Sequence, residues 1–229
     1  MINPYDEQAV ELALRLKDKH GGKITVLTVG SDAVVRIVKR TLAMGADEGV
    51  ILADEVFMGS DGFATAYILT KAIQKIGDFD LVLCGRQAAD WDEGLVGSII
   101  AGNLGLSLVT LAEAVDVIDG ELRVKRVTLD GYQIFAVPMP AVVTVSNEVG
   151  RPRPLSGWGI IAAVRRQIPI WRANDIGADP SQVSGKTARR ELIKLFIPAR
   201  ERRCEIIKGE TVAEASVNLA IRLREAKVI

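Results

Sequence analysis

Leu81-Val-Leu-Cys-Gly-Arg-Gln-Ala-Ala-Asp-Trp-Asp-Glu-Gly-Leu-Val-Gly-Ser98 decides the fold. Its first four residues are apolar without alternation and stop at Gly85, which reads as a strand buried on both faces. A polar loop follows. Gly94, Gly97 and Ser98 then open an apolar segment that continues to Leu104 with the cap signals of a helix. Strand, loop and helix in that order build a parallel sheet.

The unit recurs upstream. Residues 23–29 are β-branched and apolar and end at Gly30; Ser31-Asp32 then opens an amphipathic segment through Val34, Val35, Val38 and Leu42 to Gly45. A third run, Gly49-Val-Ile-Leu52, leads through a loop at 59–62 into a helix that ends at Ile76. At the start, Asn3 suits a helix N-cap and Pro4 the first helical position, with apolar residues at helical spacing until Gly21-Gly22. Downstream, Asp119-Gly120 and Asp130-Gly131 separate β-rich runs near 113–118, 121–129 and 132–137, a pattern of tight antiparallel hairpins. A buried strand returns at 141–145.

Prolines and glycines from 147 to 159 predict an exposed loop, after which a short basic helix ends at Arg166. Residues 167–190 are polar and irregular and read as a tether. Residues 192–197 read as one more strand, and Thr211-Val-Ala-Glu214 is a capping box opening a final helix. The expected class is α/β: a doubly wound, mostly parallel sheet with an antiparallel hairpin insertion and a C-terminal arm. Residues 1–166 are expected to form the sheet domain and 167–229 the arm.

Composition excludes several functions. The 29 basic and 29 acidic residues of this 229-residue chain balance, so no overall field attracts nucleic acid or an anionic membrane. Two distant cysteines, Cys84 and Cys204, and one histidine, His20, cannot assemble a site with the usual zinc spacing. No apolar run reaches the roughly 20 residues of a membrane helix, and no leader is visible, so a cytoplasmic protein without membrane insertion is expected.

In doubly wound sheets, ligands bind beyond the carboxyl ends of strands, where helix N-termini attract anions. The loop from Gly85 to Val96 occupies such a place. Asp90, Asp92 and Glu93 would repel a phosphate, so they read as ribose acceptors, cap residues or solvated charges. Cys84 reads as packing, and His20 as a dipole partner at a helix C-terminus. Trp171 is open between packing on the domain and clamping a partner. Arg151, Arg153, Arg165 and Arg166 could meet an acidic partner, but read first as a solvated face.

Four ordered stretches then resemble the beta subunits of electron transfer flavoproteins: Asn-Pro-Tyr-Asp-Glu-Gln-Ala-Val-Glu at 3–11, Thr-Leu-Ala-Met-Gly-Ala-Asp at 41–47, Cys-Gly-Arg-Gln-Ala-Ala-Asp at 84–90 and Pro-Ala-Val-Val-Thr-Val at 140–145. The resemblance spans the whole chain. It implies a Rossmann-like, noncatalytic electron-carrier subunit that pairs with an alpha subunit, shares the FAD held there, and keeps AMP or, in bifurcating relatives, a second FAD in its own site. Electrons would arrive from a dehydrogenase and leave to a quinone-linked or other acceptor.

Carried over by position, the nucleotide contacts are Asn3, Pro4, Tyr5, Asp6, Val29 and the loop Gly85, Arg86, Gln87, Ala88, Ala89, Asp90, Trp91, Asp92, Glu93, Gly94, Leu95 and Val96. The family's partner-docking leucine aligns with Gly157, and Leu155 or Trp158 stands in for it. Relatives commonly place a strand ahead of the Asn-Pro helix and Thr, Asn or Gln in the second half of the loop, where this chain has Glu93, Gly94, Leu95 and Val96. Phosphate binding would then rest on backbone donors and Ser98. A stand-alone nucleotide-binding module of the universal-stress-protein kind shares the sheet and loop, but such modules end soon after the sheet.

Overall fold

The computed structural model describes residues 1–183, 188–190, 192–197 and 204–229. In chain order its elements are α1 (Pro4–His20), β1 (Thr25–Val29), α2 (Val35–Met44), β2 (Glu48–Leu52), α3 (Gly62–Ile76), β3 (Leu81–Gly85), α4 (Val96–Leu104), β4 (Ser107–Ile118), β5 (Glu121–Thr128), β6 (Gly131–Val137), β7 (Ala141–Val145), α5 (Gly157–Arg165), β8 (Ile170–Trp171), α6 (Pro180–Val183) and α7 (Val212–Glu225). Local chemistry sets the boundaries. Asp61 accepts a hydrogen bond from Ala64 N at 2.9 Å and so starts α3, and Gly77 at φ 72° ends it. Gly94, at φ 63°, delays α4 to Val96.

The strands form two sheets, ordered β1-β2-β8 and β3-β7-β4-β5-β6. β1, β2 and β8 are mutually parallel, as are β3, β7 and β4; β4, β5 and β6 form the expected antiparallel insertion. The architecture is the predicted mixed α/β, parallel-dominated one, but the sheet is in two parts. Among the described residues, β1 and β3 each pair along one edge only. Every residue of both strands is half-buried, whereas β7 is buried throughout. The two parts still share a core, because Leu27 of β1 and Val82 and Cys84 of β3 pack in one cluster with Ala66, Ile73 and Ile100 of α3 and α4.

Other expectations are corrected. β4 begins at Ser107, well before the β-rich run at 113, and irregular pairing between Val109 and Ala112, with Leu111 at φ 60°, bends it so that a period-2 reading breaks there. Residues 170–183 are ordered against the sheet. β8 pairs with β2, Trp171 packs on that cluster, and Ala173, Ile176, Ala178 and Val183 are buried. Elements of two to four residues carry no periodicity, which is why this stretch reads as polar and irregular. The loop at 147–159 already contains the start of α5, whose Gly159 sits so close to α2 that a Cβ would lie 2.5 Å from Ala43 O.

Residues 192–229 form a second compact unit, distinct from residues 1–191. Residues 192–197 are not a strand: among the described residues no backbone pairs with this run, and a β-rich composition without a partner makes no ladder. Their side chains are exposed, Ile193 and Ile197 by 92% and 96%, and α7 buries no residue.

Candidate functional site

The start of α1 meets the end of β3 at the carboxyl edge of the larger sheet. Gly85 N donates to Asp6 Oδ1 at 2.7 Å, and Asn3 Nδ2 donates to Gln87 O at 2.8 Å while Asn3 Oδ1 accepts from Ala89 N at 3.2 Å. Asn3 occupies the N-cap position, yet its side chain caps the loop rather than the helix. This approach requires glycine at 85, where a Cβ would lie 2.7 Å from Tyr5 Cβ and 2.8 Å from Asp6 N. Arg86 lies over the Tyr5 ring, 5.6 Å from its centroid.

The loop is tied internally as well. Asp92 N donates to Ala88 O at 2.9 Å, and Gln87 donates its side-chain amide to the Asp92 carboxylate, so Asp92 stands at φ 58° with its charge engaged within the loop. Asp90 accepts from Trp91 N at 2.8 Å and is exposed, as is Trp91 at 60%. Glu93 pairs with Arg190 and lies against Gly62, at the start of α3. Each of the three carboxylates thus has a bond of its own.

Among the described residues, no side chain caps α4. Asp61, Ser156 and Thr211 cap α3, α5 and α7, whereas α1 and α2, like α4, start without a side-chain cap. Gly97, in the first turn of α4, is buried and packs so tightly that a Cβ would lie 2.7 Å from Thr144 Cγ2. An uncapped helix start beside a left-handed Gly94 is a fit for a phosphate held by backbone donors. Val29 ends β1, and among the described residues it shares no hydrogen bond with the loop.

Beneath the loop, burial raises the Cys84 thiol to about 12, with the Asp6 charge pushing the same way, so it carries no thiolate. The docking candidates divide. Leu155 turns inward against the cluster around Val38 and Ala163, while Gly157 is exposed and Trp158 stands 83% exposed. Of the four arginines read as a solvated face, Arg153 is instead bound by Glu11 at 3.0 Å and Asp18 at 2.8 Å. His20 pairs with Asp116 at 2.9 Å. Arg190, from the stretch read as a tether, carries no sequence signal; only the fold brings it to Glu93.

No helix among the described residues is long and apolar enough to cross a membrane, and no cluster of His, Cys, Asp and Glu suited to a metal occurs among them. A profile described as the electron transfer flavoprotein domain matches residues 1–175. The electron transfer flavoprotein subunit beta of Thermoanaerobacterium thermosaccharolyticum is 38% identical over 230 residues, covering 100% of this chain and 88% of that protein. The caffeyl-CoA reductase-Etf complex subunit CarD of Acetobacterium woodii is 36% identical over 230 residues, with the same coverage of 100% and 88%. The acryloyl-CoA reductase electron transfer subunit gamma of Anaerotignum propionicum is 32% identical over 236 residues, again covering 100% and 88%. With a family profile over three quarters of its length and these relatives over all of it, the chain belongs to the electron transfer flavoprotein family, as a beta-type subunit.

Proposed function

We propose that this subunit works in the cytoplasm as half of a heterodimer whose alpha subunit carries the redox FAD, and that it relays electrons between a dehydrogenase and a quinone-linked or other acceptor without a substrate of its own. The observation that supports the reading is the loop from Gly85 to Leu95, tied to the start of α1 and leading into a helix without a side-chain cap, in a chain of this family. AMP or a second FAD would take its phosphate from the amides of Val96, Gly97 and Ser98. The adenosine half would lie among Asn3, Pro4, Tyr5, Asp6, Val29 and the loop from Gly85 to Leu95. When bound, the flavin supplies the one- and two-electron chemistry; this chain binds, orients and excludes water.

The second unit supports partner dependence. Leu192, Ile193, Leu195, Phe196 and Ile197 are exposed by 59% to 96%, an apolar load that a stable monomer rarely leaves in water. We assign residues 192–229, the end of the arm expected over 167–229, as the part that packs on the alpha subunit. Trp158, with Gly157 beside it, is the exposed anchor for a redox partner, and Leu155 supports it from within. The assembly is tested by co-expression with an alpha-type subunit, acid extraction, and counting flavin and AMP per heterodimer. One flavin with AMP supports the carrier reading, and two flavins support a second FAD. A colourless product, or two subunits that purify apart, would overturn it.

A further inference from the structure

The loop that offers backbone donors to a phosphate also carries three carboxylates, and the structure disposes of the one nearest α4 by an unusual route. Glu93 stands only two residues before Leu95, the N-cap of α4. Its side chain is 17% exposed and pairs with Arg190, which comes from nearly a hundred residues downstream and is itself 60% exposed. Two further contacts hold that downstream stretch in place. Arg189 N donates to Asp61 Oδ2 at 2.7 Å, and the Arg189 guanidinium lies 4.4 Å from the centroid of the Phe63 ring. Asp61 uses its other oxygen to cap α3.

Residues 188–190 therefore cross the start of α3 and clasp the ligand loop from outside. The Glu93 carboxylate lies against Gly62, its Oε2 2.7 Å from where a Cβ would stand. The electrostatic consequence follows from position. A carboxylate at the mouth of a helix N-terminus competes for the field that would bind an anion, and a guanidinium beside it cancels that charge.

We infer that Arg190 is a positioning residue of the nucleotide site: through Glu93 it holds the loop and removes the negative charge that would oppose a phosphate at α4. The inference rests on the nucleotide-site reading above. It also makes a distinction that a merely structural clasp does not, since loss of charge cancellation weakens a phosphorylated ligand and spares the same ligand without phosphate.

The test uses the heterodimer, stripped of endogenous nucleotide and titrated calorimetrically with AMP and with adenosine. Arg190→Gln should weaken AMP by about tenfold while adenosine changes by less than about twofold, the selectivity expected of an uncancelled charge near a bound phosphate. Adding Glu93→Gln to Arg190→Gln should restore AMP affinity. Equal losses for AMP and adenosine, or no rescue in the double variant, would mean that the pair only holds the loop, and would overturn the inference. Normal AMP affinity in Arg190→Gln would also overturn it. If the wild-type heterodimer itself binds AMP no better than adenosine, the nucleotide-site reading fails first and takes this one with it.

Discussion

Glu11→Gln is the substitution whose outcome the structure sets most tightly. Glu11 lies in the middle of α1, 4% exposed, and its carboxylate accepts from Arg15 Nε at 2.9 Å, Arg153 N at 2.9 Å and Arg153 Nε at 3.0 Å. Arg15 continues to Val149 O at 2.8 Å, so one carboxylate fastens the whole segment 149–153 to α1. Removing one partner of a fully buried pair costs about 3–5 kcal/mol. The arginine side chains here are 45% and 30% exposed, so water takes up part of the loss, and glutamine keeps one acceptor. About 2 kcal/mol is expected, or a Tm lowered by about 4–8 °C in a chain of this length.

The pH dependence identifies the cause. Burial alone would raise the Glu11 carboxyl, but hydrogen bonds from Arg153 and Arg15, with the Arg153 charge, outweigh burial and hold it below the ordinary carboxylate range. A carboxyl lowered by folding contributes its full stability above the unfolded pKa and loses it as pH falls through the folded pKa. Melts of wild type and variant followed by circular dichroism should therefore differ most near about pH 7 and converge on acidification through that range. A difference that stays constant with pH would refute the ion-pair account.

Two further outcomes are expected. At about pH 8, a thiol reagent should label the exposed Cys204 promptly and Cys84 only after unfolding, as intact mass will show; prompt double labelling would contradict the raised Cys84 thiol. In hydrogen exchange, the outward-facing amides of β1 and β3 should exchange long before those of β2 and β7, and equal protection would mean that the open edges are covered in solution.

A stretch of sequence discloses its fold only when its pattern runs long enough to be counted. The fifteen residues of α3, bounded by Asp61 and Gly77, and the five buried residues of β7, four of them apolar, are legible because periodicity and caps agree. β8 is two residues long and cannot be seen that way. The run at 192–197 has strand composition without a strand partner, and composition alone does not make a ladder. The ligand loop is legible as a place, from its strand and helix. The roles inside it are not, because Asn3 reads equally as a helix cap and as a loop clamp, and nothing near Glu93 in sequence announces Arg190.

The candidate site depends on α1 along the whole length of that helix. Its first turn fixes Gly85, Gln87 and Ala89 through Asp6 and Asn3; its middle fixes the segment before α5 through Glu11 and Arg15; its end fixes Asp116 of the hairpin layer through Lys19 and His20. The loop proposed to hold nucleotide and the segment leading to Trp158 thus share one rigid helix. A displacement of α1 would disturb both, because bonds that help fix each of them end on its side chains. Local sequence specifies each loop's chemistry, and the helix they share specifies their distance.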